Sequence, residues 1–146
     1  WYMFFFQHGL ADLVVGANNH AYIEMLWRDW SPGYDASFDL DGVKKSLADP
    51  KNLQAALGYY RATLGDGYRD PSLKALQDQM GSAVPTQPLL YLHGANDGCI
   101  GAEVVEAAKS MSPANVQFAI VKDAGHFLQL EQPEKVNKLI CDFIAG

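Results

Sequence analysis

Two residues of this sequence have the types that acid–base catalysis needs, and each directly follows an apolar run. Asp97 lies in "HGANDGCIG", after the run "LLYL", and His126 lies in "DAGHFLQLEQPEKV", after the run "VQFAIVK". A carboxylate that accepts the Nδ1–H of an imidazole fixes the tautomer and leaves Nε2 available as a base. We therefore predict that Asp97 orients His126 as a catalytic base.

The segment 88–146 contains the elements that would position these two residues. Its order is predicted as a strand at "LLYLHG", a helix at "AEVVEAAKSM", a strand at "VQFAIVK" and a closing helix at "PEKVNKLICDFIAG". The first run is uninterrupted and apolar, which favours a strand buried on both faces of a parallel sheet. Loops that follow parallel strands open at the same edge of the sheet, so Asp97 and His126 should approach to about 2.6–3.2 Å.

Residues 1–83 are predicted to be mostly helical and to form a separate domain from residues 84–146. Apolar residues recur at three- and four-residue spacing through "LADLVVGANNHAYIEMLWRDW", with a break at "GANN". Two Asp-Pro pairs, at 49–50 and 70–71, are typical of a helix cap followed by proline at the first helical position. The fold class predicted for the whole chain is α/β.

Composition excludes several classes of function. The chain has 146 residues and a net charge of −6, which argues against binding to nucleic acid phosphates. The longest apolar runs are too short to span a bilayer, and no signal peptide is visible. Cys99 and Cys141 lack the spacing of metal ligands, so we expect reduced thiols and a cytoplasmic location.

The loops around Asp97 and His126 resemble those of the α/β-hydrolase superfamily. Members of that superfamily commonly carry an "HG…D" loop and a "GH" loop followed by an aromatic residue, and "GHF…E.P" is the most specific match here. The front of the chain, at "WYMFFFQHGLAD" and "LGYYRATL", resembles the cap domain of epoxide-hydrolase-like members. The resemblance implies the C-terminal part of an α/β-hydrolase fold, residues 84–146, with a helical cap formed by residues 1–83. It implies no cofactor and no metal.

The same resemblance implies roles for two tyrosines. In the epoxide hydrolase branch, two cap tyrosines hydrogen-bond the epoxide oxygen, and the matching residues here are Tyr2 and Tyr60. A tyrosine hydroxyl, with an ordinary pKa of about 10, holds its proton at neutral pH and can donate it to a developing alkoxide. Tyr59 competes with Tyr60, because only one of two adjacent helical residues is expected to face the pocket.

The chain departs from the family pattern in lacking a nucleophile elbow. No G-x-S-x-G turn, or version with a central Asp, is found in it. We therefore expect a fragment of an epoxide hydrolase acting on a small apolar epoxide or ester. Its sheet edge should be covered by the missing N-terminal half or by a second copy, and the chain alone should be inactive. The alternatives are an esterase or lactonase, a haloalkane dehalogenase, and a non-catalytic truncated protein.

Other residues have weaker claims to chemistry. Cys99 is a possible nucleophile for His126 but lies in the acid's own loop. Asp123 competes with Asp97 as the acid and is better explained as a turn residue, and His93 is better explained as structural. His20 and Glu24 stand one helical turn apart, which is half of a metal site without a visible third ligand.

Overall fold

The computed structural model describes residues 1–80, 83 and 85–146. These residues divide into two compact units, one formed by Trp1–Met25 and Ala36–Ala83 and the other by Leu26–Asp35 and Val84–Gly146. The segment Leu26–Asp35 thus groups with the second unit, whereas the sequence prediction divided the chain at a single boundary after residue 83. The predicted roles of the two parts, as cap and core, remain predictions.

The first unit is helical, as predicted. Its elements are α1 (Tyr2–Phe5), the first part of α2 (Ala11–Trp30), α3 (Ser37–Leu47), α4 (Pro50–Leu64), a 3-10 turn (Pro71–Leu73) and α5 (Lys74–Met80). Both Asp-Pro pairs begin helices as expected: the Asp49 side chain accepts the Lys51 amide, and the Asp70 side chain accepts the Ser72 amide. The core of this unit is formed by apolar side chains that are less than a tenth exposed, namely Phe6, Ala11, Val15, Leu53 and Leu57.

The break predicted at "GANN" is present inside α2. Ala17 has extended backbone angles, and Asn18, Asn19 and His20 have φ values of 50°, 53° and 59°. Asparagine tolerates this left-handed region better than most residues because its short polar side chain can hydrogen-bond locally. The buried His20 is held there by its Nε2, which donates to the Leu47 carbonyl at 3.1 Å.

The second unit has the predicted strand–helix–strand–helix order, with one helical turn added. Its elements are β1 (Leu89–Gly94), α6 (Glu103–Met111), β2 (Val116–Val121), α7 (Leu128–Glu131) and α8 (Pro133–Ala145). Among the described residues β1 and β2 form a two-stranded parallel sheet, in register from Leu89 opposite Val116 to Gly94 opposite Val121. The short helix α7, which lies within the "HFLQLEQ" segment, was not predicted.

Burial of β1 differs from the prediction of a strand covered on both faces. Leu89 is 38% exposed and Tyr91 37% exposed, and full burial is reached only at His93 and Gly94. A strand that is buried on both faces needs helices packed on both faces of its sheet, and the described residues leave Leu89 and Tyr91 without such cover. The core lies instead at the carboxyl end, where Val121, Ala124 and Val136 pack with Leu92, Leu128 and Leu139.

No helix in the described part of the chain is long and apolar enough to cross a bilayer.

Candidate active site

Asp97 and His126 are in direct contact at the carboxyl end of the sheet. The Nδ1 of His126 lies 2.9 Å from Oδ2 of Asp97, within the predicted range. A carboxylate oxygen accepts, so Nδ1 carries the proton and Nε2 is the basic nitrogen. The Asp97 side chain is 5% exposed and that of His126 is 29% exposed, so the acid is enclosed while the imidazole is open to solvent on one side. This geometry can orient and charge-stabilise a base.

The loop after β1 holds Asp97 in a fixed orientation. Its second oxygen, Oδ1, accepts the backbone amides of Cys99 at 2.7 Å and Ile100 at 3.0 Å. Backbone donors satisfy this oxygen and leave Oδ2 to face the imidazole.

His93 braces the same loop, which agrees with the structural role expected of it. The ring is 4% exposed; Nε2 donates to the Ile100 carbonyl at 2.9 Å, and Nδ1 accepts from the Tyr91 hydroxyl at 3.2 Å. Both ring nitrogens are thereby hydrogen-bonded. His93 therefore closes the turn that carries Asp97.

One carbonyl, that of Trp30, joins the two loops. It accepts the Gly98 amide at 3.1 Å from the loop that carries Asp97 (residues 95–102, the acid loop). It also accepts the His126 amide at 3.0 Å from the loop that carries His126 (residues 122–127, the base loop). The Trp30 ring also lies edge-on to the imidazole, with centroids 5.0 Å apart. The carboxyl end of α2 thus fixes the spacing of Asp97 and His126, and periodicity alone gave no signal for this role.

Two further residues hold the base loop, and sequence reasoning missed both as site residues. The Glu131 carboxylate accepts the Gly125 amide, with 2.9 Å to each oxygen, and the Ser31 hydroxyl at 2.7 Å. The Ser31 hydroxyl in turn accepts the Phe127 amide at 3.1 Å. Glu131 is the "E" of the "GHF…E.P" segment, which was the only signal available in the sequence.

Asp97, Cys99 and His126 could in principle share a metal ion. Among the described residues they form a group whose potential ligand atoms all lie within 4.8 Å of one another. Yet both Asp97 oxygens already accept protein donors, and His126 Nδ1 is bonded to one of them. The donor set therefore suits an acid–base pair better than a metal, and Cys99 contributes its backbone amide to that pair.

The two tyrosines implied by the resemblance lie together in the first unit. The rings of Tyr2 and Tyr60 meet edge-to-face with centroids 5.8 Å apart, and each also contacts Phe6. Tyr59 is 59% exposed, and partial burial together with a hydrogen bond to Tyr60 raises the pKa of its hydroxyl. The pairing of Tyr2 with Tyr60 agrees with a shared role, and the catalytic role itself remains a prediction.

Arg61 and Gln7 fix this tyrosine pair. The Gln7 side chain donates to the carbonyls of Met3 at 2.9 Å and Tyr60 at 3.2 Å, which ties α1 to α4. Arg61 donates to the Phe6 carbonyl at 2.9 Å and to Asp12 at 2.6 Å. The Arg of "YYR" is therefore an organiser of the helices that carry both tyrosines.

The remaining candidates have structural roles. Asp123 has a φ of 60°, as expected of a turn residue. His20 donates to the end of α3, and Glu24 pairs with Lys44, so this pair is engaged in structural contacts and gives no support to a metal site.

Most of the known proteins to which the chain is similar are epoxide hydrolases. No protein-family model matches the chain. It is 38% identical over 73 residues to epoxide hydrolase B of Mycobacterium tuberculosis, covering 49% of this chain and 20% of that protein. It is 27% identical over 150 residues to human epoxide hydrolase 4, covering 98% of this chain and 38% of that protein. It is 32% identical over 129 residues to carboxylesterase YbfK of Bacillus subtilis, covering 71% of this chain and 44% of that protein.

Solved structures show the same fold. A provisionally assigned epoxide hydrolase from Klebsiella pneumoniae superposes with a TM-score of 0.79 at 19% identity, over 98% of this chain and 48% of that one. The Cif epoxide hydrolase from Acinetobacter nosocomialis gives a TM-score of 0.71 at 20% identity, over 98% and 44%. The chain thus spans less than half the length of each of these proteins.

Proposed function

Because the chain is related to the epoxide-hydrolase-like members of the α/β-hydrolase superfamily and has part of their fold, we propose that it supplies the acid–base half of an epoxide hydrolase. The observation that carries the proposal is the 2.9 Å contact between Asp97 and His126, on loops that follow two parallel strands. The substrate proposed is a small apolar epoxide.

The proposed reaction adds one water across a carbon–oxygen bond in two steps. A carboxylate attacks an epoxide carbon, the ring C–O bond breaks, and a tyrosine hydroxyl gives its proton to the departing oxygen. His126 then takes a proton from water through Nε2, and the hydroxide attacks the ester carbonyl and releases the diol. Asp97 stabilises the imidazolium formed in that step, and its low exposure strengthens the interaction. The imidazolium proton returns to the tyrosine.

The tyrosines proposed as proton donors are Tyr2 and Tyr60. Their support is the family pattern together with the edge-to-face contact that keeps them adjacent. Tyr59 remains the rival on the same helix.

The attacking carboxylate is proposed to lie outside these residues. The chain has no elbow sequence with a central Ser or Asp, and it spans less than half of each relative. The chain alone is accordingly proposed to be inactive, and the partner that covers its sheet is proposed to be the remaining part of the hydrolase fold or a second copy.

A carboxylesterase is the second candidate function. It is favoured by the 32% identity to carboxylesterase YbfK, which extends over 71% of this chain. The same His–Asp pair serves a serine nucleophile equally well. The two activities differ in the nucleophile and in their need for tyrosine donors.

The test uses both the isolated chain and the longest polypeptide that the reading frame around it encodes. Each is assayed with styrene oxide and with p-nitrophenyl butyrate. We expect the 146-residue chain to be silent on both substrates, and the longer polypeptide to hydrolyse the epoxide. In the longer polypeptide His126→Gln should stop turnover and let a covalent ester accumulate, detectable by intact mass.

Three results would change the proposal. Ester hydrolysis without epoxide turnover would favour the esterase. Unchanged epoxide turnover in both Tyr2→Phe and Tyr60→Phe would remove the tyrosines from the reaction. Turnover by the isolated chain would place the nucleophile within these residues.

A further inference from the structure

Three successive backbone amides of the base loop each have a separate acceptor. The Gly125 amide donates to Glu131, the His126 amide donates to the Trp30 carbonyl, and the Phe127 amide donates to the Ser31 hydroxyl. The backbone on both sides of His126 is therefore held by side chains, in addition to the central contact from a carbonyl.

These side chains form one connected unit. The Ser31 hydroxyl donates to Glu131 at 2.7 Å while it accepts from Phe127 at 3.1 Å. Ser31 is 1% exposed, so loss of its hydroxyl would leave buried polar groups without a partner. We name this pair the Ser31–Glu131 clamp.

The packing around Gly125 independently indicates that the clamp needs the base loop to lie close to the backbone of Trp30 and Ser31. A Cβ on Gly125 would lie 2.6 Å from the Ser31 Cα, 2.7 Å from the Trp30 oxygen and 2.9 Å from the Ser31 Oγ. Only glycine lets the base loop come this near to the Trp30–Ser31 backbone. The Trp27 ring also stacks on that of Phe127 in the same loop, with centroids 3.8 Å apart.

We propose that Ser31 and Glu131 are positioning residues for His126. They act through the backbone of residues 125 and 127, which sets the direction of the imidazole and its distance to Asp97. The role in turnover rests on the proposed function, whereas the positioning role concerns the His126–Asp97 contact alone and is tested separately.

The first experiment measures amide exchange in the isotope-labelled 146-residue chain by NMR. Glu131→Met keeps the length of the side chain and removes its acceptors, so the Gly125 amide should exchange about five- to tenfold faster. Ser31→Ala should do the same for the Phe127 amide. The Ala95 amide, which donates to the Val121 carbonyl, serves as the internal reference and should not change.

The second readout is the low-field signal of the His126 Nδ1 proton, which reports the contact with Asp97. It should weaken or disappear in Ser31→Ala and Glu131→Met while the circular dichroism spectrum is retained. Glu131→Gln keeps one acceptor oxygen and should fall between the original chain and Glu131→Met. The matched controls are Ser110→Ala and Glu134→Met, which change exposed helical residues and should leave both readouts unchanged.

A change in melting temperature without any change in the imidazole signal would mean that the clamp is merely structural, and would overturn the proposal. If Glu131→Met or Ser31→Ala fails to fold, Glu131→Gln decides, and wild-type exchange at Gly125 in that variant would also overturn it. In the longer polypeptide Ser31→Ala should lower kcat with little change in KM. Absence of epoxide turnover there would count against the proposed function and would leave the NMR result standing.

Discussion

At the scale of single residues, the proposed chemistry depends on which hydrogen-bond partner each side-chain atom faces. Asp97 divides its two oxygens between backbone amides and the imidazole, so its carboxylate both closes a turn and orients the His126 ring. Arg61 has a similar double role in the first unit, where it joins a carbonyl and a carboxylate. A single substitution at Asp97 should therefore separate its structural role from its proposed chemical role.

Asp97→Asn should keep the turn and lose the relay. The amide oxygen can still accept from Cys99 and Ile100, which leaves its NH₂ facing the Nδ1 proton of His126. Turnover by the longer polypeptide should fall on the order of 10³- to 10⁴-fold, because the wrong tautomer is favoured. Asp123→Asn is the control, since asparagine readily adopts the φ of 60° found there. Equal activity of Asp97→Asn and the original protein would exclude the relay.

Asp12 should contribute a pH-dependent part of the stability. Its hydrogen bond to Arg61 lowers the pKa of the Asp12 carboxyl below the ordinary 3.8. A depressed folded-state pKa means that the stabilisation is present above the unfolded-state value and is lost as the pH falls through the folded value. Asp12→Asn should therefore reduce the free energy of unfolding by about 0.5–1 kcal/mol at pH 7, and the difference should shrink as the pH falls below the ordinary value of 3.8.

Urea denaturation at about pH 7 and about pH 3 measures this difference. Asp41→Asn, which removes an exposed pair with Lys45 on α3, is the control and should have a smaller effect at both pH values. A constant loss of stability at the two pH values would indicate that the Asp12 effect is not electrostatic.

At the scale of elements, the site depends on backbones that approach more closely than side chains allow. Gly94 ends β1 directly against the base loop, and a Cβ there would lie 2.0 Å from the Gly125 oxygen. Gly98 is equally constrained, because a Cβ at that position would lie 2.0 Å from the Asp29 oxygen. The loops that carry Asp97 and His126 are therefore packed backbone to backbone.

Gly94→Ala should destabilise the second unit, because the new methyl group would overlap the backbone of Ala124 and Gly125. These backbone atoms cannot shift without moving the rest of the base loop. We expect a loss of about 1–3 kcal/mol in the free energy of unfolding and a weaker His126 Nδ1 proton signal. Gly42→Ala in α3 is the matched control: its Cβ meets nothing within 4 Å, and a helical position should gain about 0.5–1 kcal/mol. Chemical denaturation of both variants gives the comparison, and a stable Gly94→Ala with an unchanged signal would contradict this account.

At the scale of the whole molecule, the sheet is incompletely paired and incompletely buried in the part of the chain that the structure describes. Among the described residues β1 pairs with β2 alone, and Leu89 and Tyr91 remain more than a third exposed. Strand edges with exposed apolar side chains favour pairing with another chain. Coverage of this sheet by another polypeptide segment is consequently the main expectation for the intact assembly.

The isolated chain should self-associate through β1. Sedimentation velocity at rising concentration should show species larger than the 16.0 kDa monomer. Leu89→Lys places a charge at the exposed start of the strand and should shift the distribution toward monomer, whereas Lys51→Glu on the exposed face of α4 should not. A monomer at all concentrations would contradict self-association and would mean that β1 is stable without another segment packed on it.

The sequence alone determined the order of the strands and longer helices of the second unit and the contact between Asp97 and His126. Apolar runs bounded by proline and glycine predicted β1 and β2, the Asp-Pro pairs predicted the helix starts, and the order of parallel strands put Asp97 and His126 at one edge. These features are local or follow from the regular geometry of parallel sheets, so a linear pattern is enough to reveal them.

Only the tertiary structure decided what holds that pair in place. The Ser31 hydroxyl reaches the base loop from 96 positions away, the Trp30 carbonyl binds the same loop, and Glu131 bonds Ser31 across 100 positions. A carbonyl and a small hydroxyl have no periodicity or composition that marks them in a sequence, because their role depends on backbones brought together by packing. The burial of β1 was likewise decided by the elements that pack around it in the fold, and not by its own apolar residues.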